Sequence, residues 1–212
     1  MQATRIIAIR HGETTWNVDA RIQGHLDIAL NATGRLQAQR VAQALADEMV
    51  DAVYASDLQR AWQTADAIAS ATQSPLTADK GLRERGFGEF EGKSYAEVET
   101  LWPQHALQWR TRDPLWAPPA GESLLAMRDR VLTTATRLAG QHQGGQIVLV
   151  AHGGVMDLLY RLATSQDLQA PRTWQLGNAA INRLLWTPDG FTLVGWADSG
   201  HLDNLGQDES FS

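Results

Sequence analysis

The sequence predicts an α/β fold, a three-layer sandwich with a mostly parallel central sheet flanked by helices. Three observations predict it. Ile6-Ile7-Ala8-Ile9 and Ile147-Val148-Leu149-Val150 are short apolar runs, the pattern of strands buried on both faces of a parallel sheet. Strand-like and helix-like segments alternate along the chain. Both apolar runs end in a His-Gly step, His11-Gly12 and His152-Gly153, at the strand ends where open parallel sheets bind ligands.

After the first strand, residues 14–31 read as a polar loop. Residues 33–47 follow as a helix whose apolar face carries Leu36, Val41, Ala42 and Leu45. Ala52-Val53-Tyr54-Ala55 is a short strand, and Ser56 or Asp57 is placed to cap a helix through Leu58, Ala61, Ala65 and Ile68. Residues 75–77 form a third strand, residues 81–92 a glycine-punctuated loop, and residues 94–112 an irregular helical stretch ending near Pro114, Pro118 and Pro119. Gly121-Glu122-Ser123 starts a long helix to Gly140, packed through Leu124, Met127, Val131, Leu132 and Leu138. Residues 155–160 continue the second His-Gly step as a helix, and late strands are expected over 182–187 and 191–196. The polar end, 204–212, is expected to fray. Residues 1–212 read as a single domain, with 81–120 as a lid-like excursion within it.

The 212 residues, 43% hydrophobic, suit one packed core. No apolar run approaches the roughly 18 residues that span a bilayer. A net charge of −6 argues against a general nucleic-acid or acidic-membrane binder, because both need Lys and Arg in excess on one face. The chain has no cysteine, which excludes disulfides and thiolate metal sites. With a start that runs straight into a strand, this reads as a cytoplasmic protein. Several of the eight tryptophans fall between positions 102 and 116. They read as core and lid packing, since a base-stacking platform would need a basic stripe.

Two strand–His–Gly steps suggest neighbouring parallel strands with both imidazoles at one pocket. Arg10 beside His11 sets a fixed cation next to an imidazole, a pairing that suits a phosphate ester. Gly12 lets the backbone come close to whatever His11 faces. Arg60 falls in the first turn of a helix, where a cation is unfavourable without an anionic partner. In Leu82-Arg83-Glu84-Arg85-Gly86-Phe87-Gly88, Glu84 either forms surface ion pairs or presents a carboxyl to a site.

These fragments together resemble the histidine phosphatase superfamily, the phosphoglycerate-mutase-like fold, along most of the chain. The resemblance rests on Arg10-His11-Gly12-Glu13-Thr14 with Asn17, Gln23-Gly24, Ser56-Asp57-Leu58-Gln59-Arg60-Ala61 with Thr64-Ala65, Leu82-Arg83-Glu84, Gly121-Glu122-Ser123 and His152-Gly153. It implies His11 as the nucleophile that accepts the phosphoryl group, and Glu84 as the proton donor to the leaving oxygen. It implies Arg10, Arg60 and His152 as the clamp on the phosphoryl oxygens, with Asn17 as a further contact. Thr14, Gln23, Gly24 and Gly153 take substrate-binding positions. No metal or cofactor is implied, and His25, His105, His142 and His201, which lack metal-ligand spacing, read as surface or structural.

The implied activity is hydrolysis of a small phosphate monoester. The alternative is a 2,3-bisphosphoglycerate-dependent phosphoglycerate mutase, and a third reading is an inactive phosphate-binding scaffold. The interval from Glu84 to His152 is compact, and Phe87 stands where mutases carry a tyrosine, both of which favour a phosphatase. Trp109-Arg110-Thr111-Arg112 is a partial echo of the mutases' paired arginines, and Lys93 is a candidate contact for an acidic substrate. Retention of His11, Glu84 and His152 argues against the inactive scaffold. A homodimer is compatible with the resemblance, and no motif specifies it.

Overall fold

A computed structural model describes residues 2–203, so the expected fraying of 204–212 lies outside the described residues. The strands are β1 Thr4–Arg10, β2 Ala52–Ala55, β3 Leu76–Ala78, β4 Gln146–Ala151, β5 Ile181–Thr187 and β6 Gly190–Asp198. They form one six-stranded sheet in the order β3-β2-β4-β1-β5-β6. The first four in that order run parallel, and the β5–β6 hairpin joins β1 antiparallel. The helices are α1 Thr15–Val18, α2 Ala32–Leu45, α3 Gln59–Thr72, α4 Tyr95–Leu101, α5 Pro103–Arg110, α6 Leu124–Gly140 and α7 Gly153–Thr164. Among the described residues, no helix is long and apolar enough to cross a membrane.

Side chains alternate across a strand, so a strand apolar at every position can feed two cores. Ile6 and Ala8 of β1 join Ile147 and Leu149 of β4 beneath α6 and α7, against Met127, Val131, Val155 and Leu158. Ile7 and Ile9 join Val148 and Val150 on the opposite face, against Val41, Leu45, Ala61 and Ile68 of α2 and α3. These are the three expected layers. Each fully buried branched side chain contributes about 1.5–3 kcal/mol, so a polar residue in the middle of β1 or β4 would remove that term and strand an unpaired group.

Three local expectations are corrected. The stretch read as a loop contains α1, whose single turn is closed by a reciprocal capping box. Thr14 Oγ1 accepts from the Asn17 amide at 3.2 Å, and Asn17 Oδ1 accepts from the Thr14 amide at 3.0 Å. Neither Ser56 nor Asp57 caps α3: Leu58 holds the cap position without a side-chain bond, and Asp57 pairs with Arg83 at 2.6 Å. Asp27, far back in the chain, accepts from the Gln59 amide at 2.7 Å and supplies the missing negative charge. The irregular helix is two helices, because Pro103 brings no N–H and Trp102 leaves the helical region with φ −140° and ψ 67°.

Within the segment 81–120, Phe90, Val98, Ala106 and Trp116 bury one another and are flanked by Ile22, Phe87, Trp102 and Trp109. This small core is separate from the two on either face of the sheet. It places an aromatic wall beside the ends of β1 and β4, where the tryptophans pack as expected.

Candidate active site

β1 and β4 are hydrogen-bonded neighbours with Arg10 in register with Ala151. The His11 amide then donates to the Ala151 carbonyl at 2.9 Å. Register alone brings the two His-Gly steps together, and the imidazole centroids lie 5.2 Å apart. The close turn at Gly12 is obligatory, because a Cβ there would collide with the Gly34 carbonyl at the start of α2.

Hydrogen bonding gives the two imidazoles opposite tautomers. His11 Nδ1 lies 2.7 Å from the Gly12 carbonyl, an acceptor only, so Nδ1 carries the proton and Nε2 keeps its lone pair. His152 Nδ1 accepts from Arg60 Nε at 3.2 Å, so the proton sits on Nε2, which has no protein partner. Burial, reinforced by Arg10 and Arg60, holds the His11 pKa well below its ordinary 6.5. Burial, then Arg60, His11 and Arg10, does the same for His152. Both rings are neutral, one a lone-pair donor and the other an N–H donor.

Arg60 is 1% exposed and carries this arrangement. Its Nη1 and Nη2 donate to the Leu26 and Gly24 carbonyls, each at 2.8 Å. Burial lowers its pKa to about 10, with Glu84 and Asp27 opposing, so it stays charged. The cation expected to need an anionic partner has two acids nearby and a share in the site. Arg10 donates through Nη1 to the Leu176 carbonyl, while its buried Nε has no partner.

A cavity of about 190 Å³ is lined by Arg10, His11, Asn17, Gln23, Gly24, Arg60 and Glu84, along with Phe87 and Trp109. Asn17 uses its oxygen on Thr14, which leaves its amide N–H groups for a ligand. Gln23 Oε1 is buried without a partner. Gly24 turns its carbonyl to Arg60 at a φ of +51°, in the left-handed region. His152 is fully buried, its ring 5.2 Å from that of His11. Thr14 is also buried, its hydroxyl caps α1, and neither it nor His152 lines the cavities described here.

Glu84 pairs with neither neighbouring arginine. Its carboxylate accepts from the Gly154 amide, 3.1 Å from each oxygen, and from the Arg85 amide at 2.9 Å. Gly154 is in the first turn of α7, so the carboxylate rests at a helix N-terminus. Its carbonyl is fixed from behind by Arg130 Nη2 at 3.3 Å and by His25 Nε2 at 2.8 Å. Thus His25 is structural, as are His105 on Trp116, His142 on Tyr54 and His201 on the Ala179 carbonyl.

Glu84, Arg10, Phe87 and Trp109 also border a second, larger cavity of about 450 Å³. Gly153, Gly154, Arg85, Arg112, Asp157 and Arg172 line it as well. The paired-arginine echo splits. Arg112 turns in through a left-handed φ of 53°, whereas Arg110 points away to Glu99. Lys93 lies over the Trp102 ring at 5.8 Å and borders neither cavity.

Sequence reasoning missed Arg85, Asp157 and Arg172. Asp157 had a readable signal, a lone carboxylate on the otherwise apolar run Val155 to Tyr160. Arg85 is buried between the Phe87 and Trp116 rings, each centred 5.4 Å from its guanidinium carbon, and no local pattern announces that. Arg172 lies in an aperiodic loop.

Residues 6–199 match the pattern of the histidine phosphatase superfamily (branch 1). Phosphoglycerate mutase-like protein 4 of Arabidopsis thaliana is 39% identical over 205 residues, 95% of this chain and 88% of that protein. The metal-independent phosphoserine phosphatase of the same plant is 34% identical over 208 residues, 97% of this chain and 86% of that protein. A solved structure of mycobacterial glucosyl-3-phosphoglycerate phosphatase complexed with VO3 superposes with a TM-score of 0.82 at 32% identity, covering 92% of this chain and 99% of that one. The family pattern begins in β1 and closes just past β6, spanning the whole sheet that sets the two imidazoles side by side, and the chain belongs to the histidine phosphatase superfamily.

Proposed function

We infer that this protein is a metal-independent phosphatase that hydrolyses small phosphate monoesters through a phosphohistidine on His11. The observation that carries this reading is the opposed tautomers: a lone pair on His11 Nε2 beside an N–H on His152 Nε2. A nucleophile and an oxyanion donor made from the same residue type need that opposition.

The phosphoryl group occupies the smaller cavity, its oxygens facing Arg10, Arg60 and the Asn17 amide, with the unpartnered His152 Nε2–H, on the ring 5.2 Å from His11, as a further donor. His11 Nε2 forms the N–P bond as the P–O bond of the ester breaks. The leaving oxygen emerges at the border between the cavities, where Glu84, which enters this step protonated, gives it a proton. Glu84, now ionised, takes a proton from water as that water attacks phosphorus. The N–P bond breaks, inorganic phosphate departs, and His11 is neutral again. Positioning and fixed positive charge are what such a transfer requires.

Hydrolysis rather than mutase chemistry fits Arg110, which faces solvent and is occupied by Glu99 instead of doubling the charge of Arg112. The cysteine-free chain needs no oxidising compartment, and the proposal includes a cytoplasmic location. No step calls on a second copy of the chain.

Incubation with a 32P-labelled phosphate ester tests the proposal. An acid-labile, base-stable protein adduct should form and vanish in His11→Ala. Absence of both the adduct and p-nitrophenyl phosphate turnover would overturn it.

A further inference from the structure

Asp157 follows the Glu84-bound Gly154 by one turn of α7 and lines the larger cavity. It is 5% exposed. Two arginines converge on one of its oxygens: Arg112 Nη2 donates to Oδ2 at 2.8 Å and Arg161 Nε at 3.0 Å. Oδ1 has no hydrogen-bond partner. An unsatisfied buried carboxylate oxygen is costly, and two nearby guanidiniums leave it uncovered.

We propose that Asp157 is a specificity-determining residue whose Oδ1 accepts a hydrogen bond from a hydroxyl of the leaving group, so that preferred substrates are phosphate monoesters of polyhydroxylated alcohols. This rests on the hydrolase reading above and deepens it. Glu84 and Asp157 then contact the alcohol on one face of α7, Glu84 at the ester oxygen and Asp157 one turn further out. A volume of about 450 Å³ accommodates an alcohol of several carbons.

The surrounding charge decides between a hydroxyl and an ammonium as the donor. Arg112 and Arg161 already neutralise the Asp157 carboxylate. Arg10, Arg85, Arg112 and Arg172 border the same cavity, and Arg172 has no carboxylate partner among the described residues. An ammonium would enter a field of guanidiniums, whereas a hydroxyl brings the donor without the charge.

The test compares glycerol 3-phosphate, propyl phosphate and ethanolamine phosphate on the full-length protein. The wild type should favour glycerol 3-phosphate over propyl phosphate in kcat/KM by about 10-fold or more, the worth of a hydrogen bond to a charged acceptor. In Asp157→Asn the amide oxygen keeps Arg112 and Arg161, and an N–H₂ donor replaces Oδ1, so that ratio should fall towards one. Equal wild-type rates on the two esters overturn the proposal. So does a ratio unchanged in Asp157→Asn while both rates drop, which would make Asp157 only an anchor for the neighbouring loop. Preference for ethanolamine phosphate overturns the hydroxyl assignment. Calorimetric binding of the same esters to His11→Ala reads the preference without turnover. Selective binding there, with a wild type that turns over no ester including p-nitrophenyl phosphate, defeats the hydrolase reading alone; equal affinities defeat this proposal.

Discussion

Arg60 Nε donates to His152 Nδ1 across 3.2 Å, so a guanidinium on α3 sets which nitrogen of an imidazole beyond β4 carries the proton. The same guanidinium grips the Gly24 and Leu26 carbonyls and so ties the loop bearing Gln23 to the site. Lysine preserves the charge but lacks the planar fork that reaches three acceptors. Arg60→Lys should lower kcat/KM for p-nitrophenyl phosphate by about 100-fold, the scale of losing one preorganised donor set. The 15N shifts of His152 should move towards a mixture of tautomers. Unchanged shifts with reduced activity would assign Arg60 to direct phosphate contact alone.

The position of Glu84 depends on an absent side chain. A Cβ on Gly154 would collide with Glu84 Oε1 and press on Met127 Cε, a flexible neighbour. Gly154→Ala should therefore fold and displace the acid. Alkyl phosphates, whose leaving oxygens need the proton, should slow by about 100-fold, within the usual range for general acid catalysis. p-Nitrophenyl phosphate, with a good leaving group, should lose far less. Glu84→Gln should reproduce the pattern; equal losses on both esters in both variants would make Glu84 structural.

Buried neutral imidazoles leave a mark on stability. In the unfolded chain His11 and His152 take up protons below their ordinary pKa of 6.5, whereas burial and the adjoining arginines keep them neutral when folded. The unfolded state then binds more protons, so stability falls as pH drops below about 6.5 and is retained above it. Each ring contributes a slope of about 1.4 kcal/mol per pH unit in that window. Urea denaturation at pH 7.5 and 5.5 measures it, and His11→Asn should reduce the difference by one ring's share. An undiminished difference would place the pH dependence elsewhere.

What was legible in the sequence divides along physical lines. Apolar runs at β1 and β4 announce a buried parallel sheet because only a strand covered on both faces is apolar at every position. Their His-Gly exits announce the site because parallel register places them together. The α3 cap was illegible for the opposite reason: Asp27, its true source, is remote in sequence and near only after folding. At Thr14 a hydroxyl inside the motif serves the backbone of its own turn, a role that its place in the motif does not announce. The larger cavity was legible only in part: Arg112 stands out beside Arg110 in the sequence, whereas Arg85 and Arg172 come from unrelated segments that only tertiary packing brings to the same wall.

Arg130 on α6 holds the acid-bearing loop from outside the site. It pairs with Glu122 through two bonds, Nε to Oε1 at 2.9 Å and Nη2 to Oε2 at 2.6 Å. Its Nη1 donates to the Gly81 and Arg83 carbonyls, each at 2.9 Å, and its Nη2 to the Glu84 carbonyl at 3.3 Å. Three carbonyls of one loop thus depend on a residue that borders neither cavity of the site. Arg130→Met removes these donors and leaves Glu122 unpaired, at a cost of about 1–3 kcal/mol. The functional signature separates positioning from bulk destabilisation. If the loop aims Glu84, kcat on alkyl phosphates should fall by about 10-fold or more with KM nearly constant, since slight misplacement of a reacting group is expensive. Arg130→Lys should fail to restore it, because one ammonium cannot reach all three carbonyls in the guanidinium geometry. A lowered Tm with unchanged kcat at 20 °C would assign Arg130 to stability alone.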